Sequence, residues 1–152
     1  MTADRDFRDV QEVVTRIRTR FRKPADFARL TPSEQLIFRL AVVFDGEMRN
    51  GGIDQYLRNQ SGDTALEVAT DLQRIKATRA LKILLAAAEW FSGARIPTDQ
   101  DARFDALIAA EKRDPEAFAE KGDALSRQYL VAADELYRQL LRFIQEASSD
   151  LS

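Results

Sequence analysis

The chain has 152 residues, 45% of them hydrophobic and 32% charged, with a formal net charge of −2. That is enough for one domain with a real core. With no Cys and no His, disulfides, zinc–thiolate sites, thiol nucleophiles and imidazole bases are excluded, and an enzyme would have to work with carboxylates, Lys, Tyr, Ser or Thr.

No apolar run is long enough to span a bilayer, and the opening MTADRDFRDV lacks the apolar stretch of a signal peptide, so the expected location is cytoplasmic, with no membrane association. Twenty-three basic residues nearly balance 25 acidic ones, which argues against direct nucleic-acid binding. In chain order, Phe7, Val10, Val13, Val14, Ile17 and Phe21 recur at spacings of three and four, one face of a helix that Lys23-Pro24 ends. Thr31-Pro32-Ser33-Glu34 is a helix start with a capping box. The helix that follows carries Leu36, Ile37, Leu40, Val43 and Phe44 inward and runs to about Arg49. Asn50-Gly51-Gly52 tolerates positive φ and closes it. A short helix with Ile53, Tyr56 and Leu57 inward ends at Ser61-Gly62.

Thr64 and Glu67 have capping-box spacing and start a helix with Leu66, Leu72 and Ile75 as core candidates. Residues 78–91 are apolar around most of the circumference and are expected to form the most buried helix, stopped by Gly93. Thr98 and Asp101 begin another, with Phe104, Leu107 and Ile108. Asp114-Pro115-Glu116 begins a short one that Gly122 breaks. The last helix, from about Asp123 to Glu146, places Leu125, Tyr129, Leu136, Leu140, Phe143 and Ile144 inward. No stretch alternates with period two. The expectation is an all-α fold, a single compact domain of about seven helices spanning residues 1–152.

The most informative stretch is EMRNGGIDQYLRN, residues 47–59. Glu47 sits in the last turn of a helix, where the dipole disfavours a carboxylate, so it calls for a partner. Gln55 and Asn59 share a face of the next helix, and a sharp Gly51-Gly52 corner would bring them toward Glu47 and Asn50. Three readings are open: a hydrogen-bonded corner with buried, mutually paired side chains, a surface for a ligand or partner, or a catalytic site. The first is preferred because buried polar groups have to be paired. Catalysis ranks last because one carboxylate among amides lacks a nucleophile or a matched acid–base pair.

Glu47, Asn50-Gly51-Gly52, Gln55, Tyr56 and Asn59, followed by Ser61-Gly62, resemble the signature of a bacterial family, the DNA-mimic protein 19 family, also called domain of unknown function 4375. The resemblance extends over about residues 30–146: a helix entering the motif, an Ala/Leu-rich helix pair after it, Phe104-Asp105, and a late aromatic-Leu helix. It implies an all-α fold without known enzymatic activity. It further implies an acidic protein that associates as a dimer, presents carboxylates in place of DNA phosphates, and sequesters a helix-turn-helix regulator. Here the balanced composition departs from that pattern, because mimicry is a property of surface charge rather than of the Asn-Gly-Gly core.

One acidic stretch remains: Asp99, Asp101, Asp105, Glu111, Asp114, Glu116, Glu120 and Asp123, against Arg103, Lys112, Arg113 and Lys121. It is either a set of solvated helix starts or a surface for a basic partner. It lacks the Gly and terminal Glu of a calcium loop, so no metal site is expected. Arg16, Arg18, Arg20, Arg22 and Lys23 read as a solvated helix face. The expected function is therefore non-catalytic protein–protein interaction through the 47–59 corner, the acidic stretch or both, with no cofactor and with a homodimer left open. The alternatives are a true DNA mimic, or a small-ligand binder or enzyme at the Glu47–Asn59 corner.

Overall fold

The computed structural model describes residues 2–147. They are helical almost throughout, with no strand among them. The helices are α1 (Thr2–Arg18), α2 (Pro32–Phe38), α3 (Asp45–Asn50), α4 (Gly52–Arg58), α5 (Ala65–Arg74), α6 (Thr78–Ala88), α7 (Gln100–Arg113) and α8 (Pro115–Glu146). A π-helical stretch, Arg39–Phe44, joins α2 to α3, so the two form one rod and the described chain makes seven rods, close to the expected number, with the short helix expected at 114–122 running on into α8.

The rod from Pro32 to Asn50 starts as its sequence dictates. Thr31 Oγ1 accepts from Glu34 N at 3.2 Å, and Thr31 N donates to Glu34 Oε1 at 3.0 Å. Glu34 is buried and paired with Arg20, so one carboxylate both closes the cap and anchors the loop after α1. Burial raises its pKa, but the Arg20 guanidinium and the Thr31 N–H outweigh that and hold it below the usual carboxylate range.

The longest helix, α8, organises the fold by packing against α1, α3, α4, α6 and α7. Its buried stripe, Leu125, Tyr129, Ala132, Ala133, Leu136, Tyr137, Leu140 and Ile144, replaces 78–91 as the central element. In α6, Leu85 is 54% exposed, so that helix is buried on one side only.

Several sequence expectations change for a common reason, the helical phase. Gly122 does not break the last helix. A helical Gly costs only about 1 kcal/mol, and buried Phe118 and Leu125 carry the stripe across it. Ala65, Val68 and Leu72 form the inward stripe of α5, which leaves Leu66 on the outside. Thr64 makes no capping box; its Oγ1 donates to Ser61 O at 2.7 Å. The N-cap of α7 is Asp99, which accepts from Ala102 N at 2.9 Å, and Phe104 is largely exposed while Arg103 and Leu107 are buried.

Candidate functional site

At the 47–59 corner the glycine backbone is packed directly against neighbouring side chains. Gly52 is buried at φ 84°, and a Cβ there would overlap the Ser126 side chain of α8. Only glycine satisfies both conditions. Gly51 is overlain by the Gln55 side chain, so a Cβ there would displace it.

Glu47 has the partner its position calls for: Asn59 Nδ2 donates to Glu47 Oε2 at 2.8 Å. The remaining amides differ from the expected buried cluster. Asn50 is exposed, Gln55 is half-buried, and neither side chain forms a hydrogen bond among the described residues. Gln55 covers glycine instead of tying two helices together. Tyr56 is fully buried, and its hydroxyl lies 3.0 Å from Thr64 Oγ1. Because Thr64 donates to Ser61 O, Tyr56 is left as the donor to Thr64. Burial pushes its pKa far above the usual phenol value.

Two buried charges that the sequence reading missed hold this corner in place. Arg103 has no exposed surface. Its Nε donates to Leu57 O at 2.8 Å. One terminal nitrogen donates to Pro97 O at 3.0 Å and Thr98 O at 2.8 Å. The other reaches Asn59 O at 3.0 Å and Asp63 Oδ1 at 2.6 Å. All five guanidinium N–H groups are therefore used. Ser61-Gly62 serves the same network: a Cβ on Gly62 would lie 2.7 Å from Tyr56 O and 2.9 Å from Arg103 Nε. The available signal was phase, since Arg103 precedes Leu107 by four and shares its inward face.

Asp45 is the second. It is 4% exposed and accepts from Tyr129 Oη at 2.5 Å and Tyr137 Oη at 2.7 Å. Arg49 Nε lies 3.0 Å from both of its oxygens. Burial, and then the negative charge of Asp45, push both phenols well above their ordinary pKa. Phe44 meets Tyr56 and Tyr129 edge-on, at 5.2 Å and 5.6 Å between ring centroids, so the Asp45 cluster and the corner share one aromatic wall.

The acidic stretch is exposed. Asp99, Asp101, Asp105, Glu111, Asp114, Glu116, Glu120 and Asp123 all face solvent. Asp99 and Asp114 cap α7 and α8, and Glu111 lies 3.6 Å from Arg58. Asp101 and Asp105 are four apart on α7. Glu116, Glu120 and Asp123 form a row on one face of α8. None of these five makes an ion pair or a side-chain hydrogen bond among the described residues. Arg103, counted in the sequence as a surface cation opposing this stretch, points inward instead.

No group of Asp and Glu residues able to hold a metal occurs among the described residues. None of their helices is long and apolar enough to cross a membrane.

Fold and site together define an all-α domain whose Asn-Gly-Gly corner is seated on a long C-terminal helix and locked by a buried arginine. The profile of the DMP19-like protein family matches residues 28–147, and the chain belongs to that family. No curated protein and no solved structure matches it. The matched region begins after α1, although α1 contributes buried Val10, Val14 and Ile17 to the same core.

Proposed function

We propose that the protein is a non-catalytic binding module that engages a basic protein partner through the carboxylates of α7 and the first turns of α8. The observation that carries this reading is the burial of Arg103. It removes one of the four cations that composition sets against eight carboxylates, and five of those carboxylates stand without ion pairs on two packed helices. Such a surface attracts a basic partner at long range and is screened by salt. Full imitation of DNA asks for an uninterrupted acidic face; Lys112 and Arg127, four residues beyond Asp123, break this one into short rows.

The corner at 47–59 is read as the scaffold beneath that face. Arg103 ties Leu57 and Asn59 to α7, so the corner's geometry positions the acidic helices. The non-catalytic part of the reading is supported by the bond from Asn59 to Glu47, the one hydrogen bond or ion pair that the Glu47 carboxylate makes among the described residues.

The test is affinity capture from host lysate at low and high salt, with the parent and with Glu116→Gln/Glu120→Gln/Asp123→Asn in parallel. A basic protein held at low salt by the parent alone is the expected result. Equal retention of that protein by the neutralised variant would sink the proposal.

A further inference from the structure

A second surface, built from residues outside both the corner and the acidic face, runs along α6 and the C-terminal half of α8. Ile83 and Ala86 of α6 and Val131 and Ala132 of α8 line an open groove of about 560 Å³. Val131 is 61% exposed there. On α8 the lining positions 128, 131 and 132 continue at helical spacing into 139, 142, 143 and 146. These line a second, smaller cavity of about 130 Å³ against the turn after α5, so one stripe of α8 serves both.

The charge of this surface is mainly basic, with Glu135 between the two cavities on the same stripe, where it accepts from Arg79 N at 2.9 Å. Arg79 and Lys82 flank the apolar part, and Arg74, Lys76 and Arg142 line the smaller cavity. Glu146 alone among the described lining residues is acidic. Arg79 approaches Glu135 at 3.9 Å, and Arg74 acts on the Asp71 carboxylate and lies 5.3 Å from the Phe143 ring centroid, whereas no carboxylate pairs with Lys76, Lys82 or Arg142 among the described residues. Lys76 is also held at φ 64°, the left-handed region that glycine occupies without strain and a lysine does not. A cation therefore stands where glycine would be the easier residue.

We propose that this groove docks an acidic amphipathic helix from a protein partner. Apolar side chains at i, i+3 or i+4, and i+7 would lie against Ile83, Ala86 and Val131, and flanking Asp and Glu would meet Lys82, Arg79 and Arg142. The stripe from Gln128 to Arg142 is roughly 20 Å long at 1.5 Å per residue, about four turns of such a helix. Charge selects this occupant over a second copy of the chain, because self-docking through the groove would set two cationic rims against each other. The surface is opposite in sign to the acidic face and is independent of it.

The experiment is selection from a displayed library of helical 14-residue peptides on the full-length protein, with Val131→Asp as counter-target. The enriched peptides are expected to share an apolar i, i+3/i+4, i+7 stripe flanked by carboxylates. Binding of a synthetic winner should fall about tenfold or more with Val131→Asp and about tenfold with Arg142→Glu, and should weaken with salt. Lys76→Gly should melt at the same or a higher temperature yet bind several-fold more weakly, which separates the site from the fold. Neutralising Glu116, Glu120 and Asp123 should leave this binding unchanged. No enrichment, winners that lack carboxylates, or equal binding to Val131→Asp would overturn the proposal. So would a concentration-dependent dimer in sedimentation that Val131→Asp dissociates, which would make a second copy the occupant.

Discussion

Removing Arg103 is the sharpest test of how the corner is held. Arg103→Ala leaves three backbone acceptors, Leu57 O, Pro97 O and Thr98 O, without the donors they take from Arg103, while Asn59 O loses one donor and keeps Gly62 N at 3.1 Å. A fully buried orphaned acceptor, as Leu57 O would be, costs about 1–3 kcal/mol, and the part-buried carbonyls of Pro97 and Thr98 cost less. Two effects reduce the sum. Water can enter the vacated volume, and Asp63, whose side chain is 43% exposed, can rehydrate. The expected loss is therefore about 3–5 kcal/mol, the usual range for breaking a buried charged network. In a domain of this size that lowers Tm by about 10 °C or more. Urea unfolding followed by circular dichroism at 222 nm measures it.

Two companions locate the cause. Arg103→Met keeps much of the stem's volume but none of the donors, so it should lose nearly as much as alanine. Arg103→Lys has at most three donors and should fall between, at about 2 kcal/mol. If Arg103→Ala stays within about 1 kcal/mol of the parent, the guanidinium network does not hold the corner and the argument fails.

Three further outcomes follow from the same geometry. Asp45→Asn turns one acceptor oxygen into a donor facing a tyrosine hydroxyl and removes the charge that Arg49 balances; it should cost about 2–4 kcal/mol in urea unfolding. Gln55→Ala, which a buried amide cluster would have made expensive, should cost less than about 1 kcal/mol, because the side chain covers Gly51 without a hydrogen bond; a loss near 3 kcal/mol would restore the cluster. Tyr56, Tyr129 and Tyr137 have folded pKa values raised above the unfolded phenol value, so the folded state holds protons that the unfolded state releases. Their stabilisation is complete below about pH 10 and is lost as pH rises beyond it, with a slope approaching ~4 kcal/mol per pH unit when all three contribute. A pH–stability curve flat from 9 to 11.5 would refute the assignment.

Much of the architecture was legible in the chain. The capping box at Thr31, the Gly51-Gly52 corner and the inward stripes of Leu36-Ile37-Leu40 and Ile53-Tyr56-Leu57 are local features. Hydrophobic period and cap chemistry act over one or two turns and need no distant partner. The same local logic anticipated that Glu47 needs a donor across the corner, and Asn59 supplies it. It failed where two stripes competed within one helix. Leu66 and Phe104 looked like core residues by type, but their neighbours Ala65 and Arg103 point inward, because the phase of a helix is chosen by what it packs against.

The family motif and the all-α class were thus determined by sequence alone, since both depend on residue types at fixed spacing. The roles of Arg103 and Asp45 were decided only in three dimensions. A charged side chain reads as surface until a fold brings enough partners to offset its desolvation. For Arg103 those partners are mainly backbone carbonyls, which every residue carries and no sequence pattern marks. For Asp45 they are tyrosines more than eighty residues away. The sign of each surface follows from the same cause, because net charge counts residues, whereas a partner meets only those that folding leaves outside.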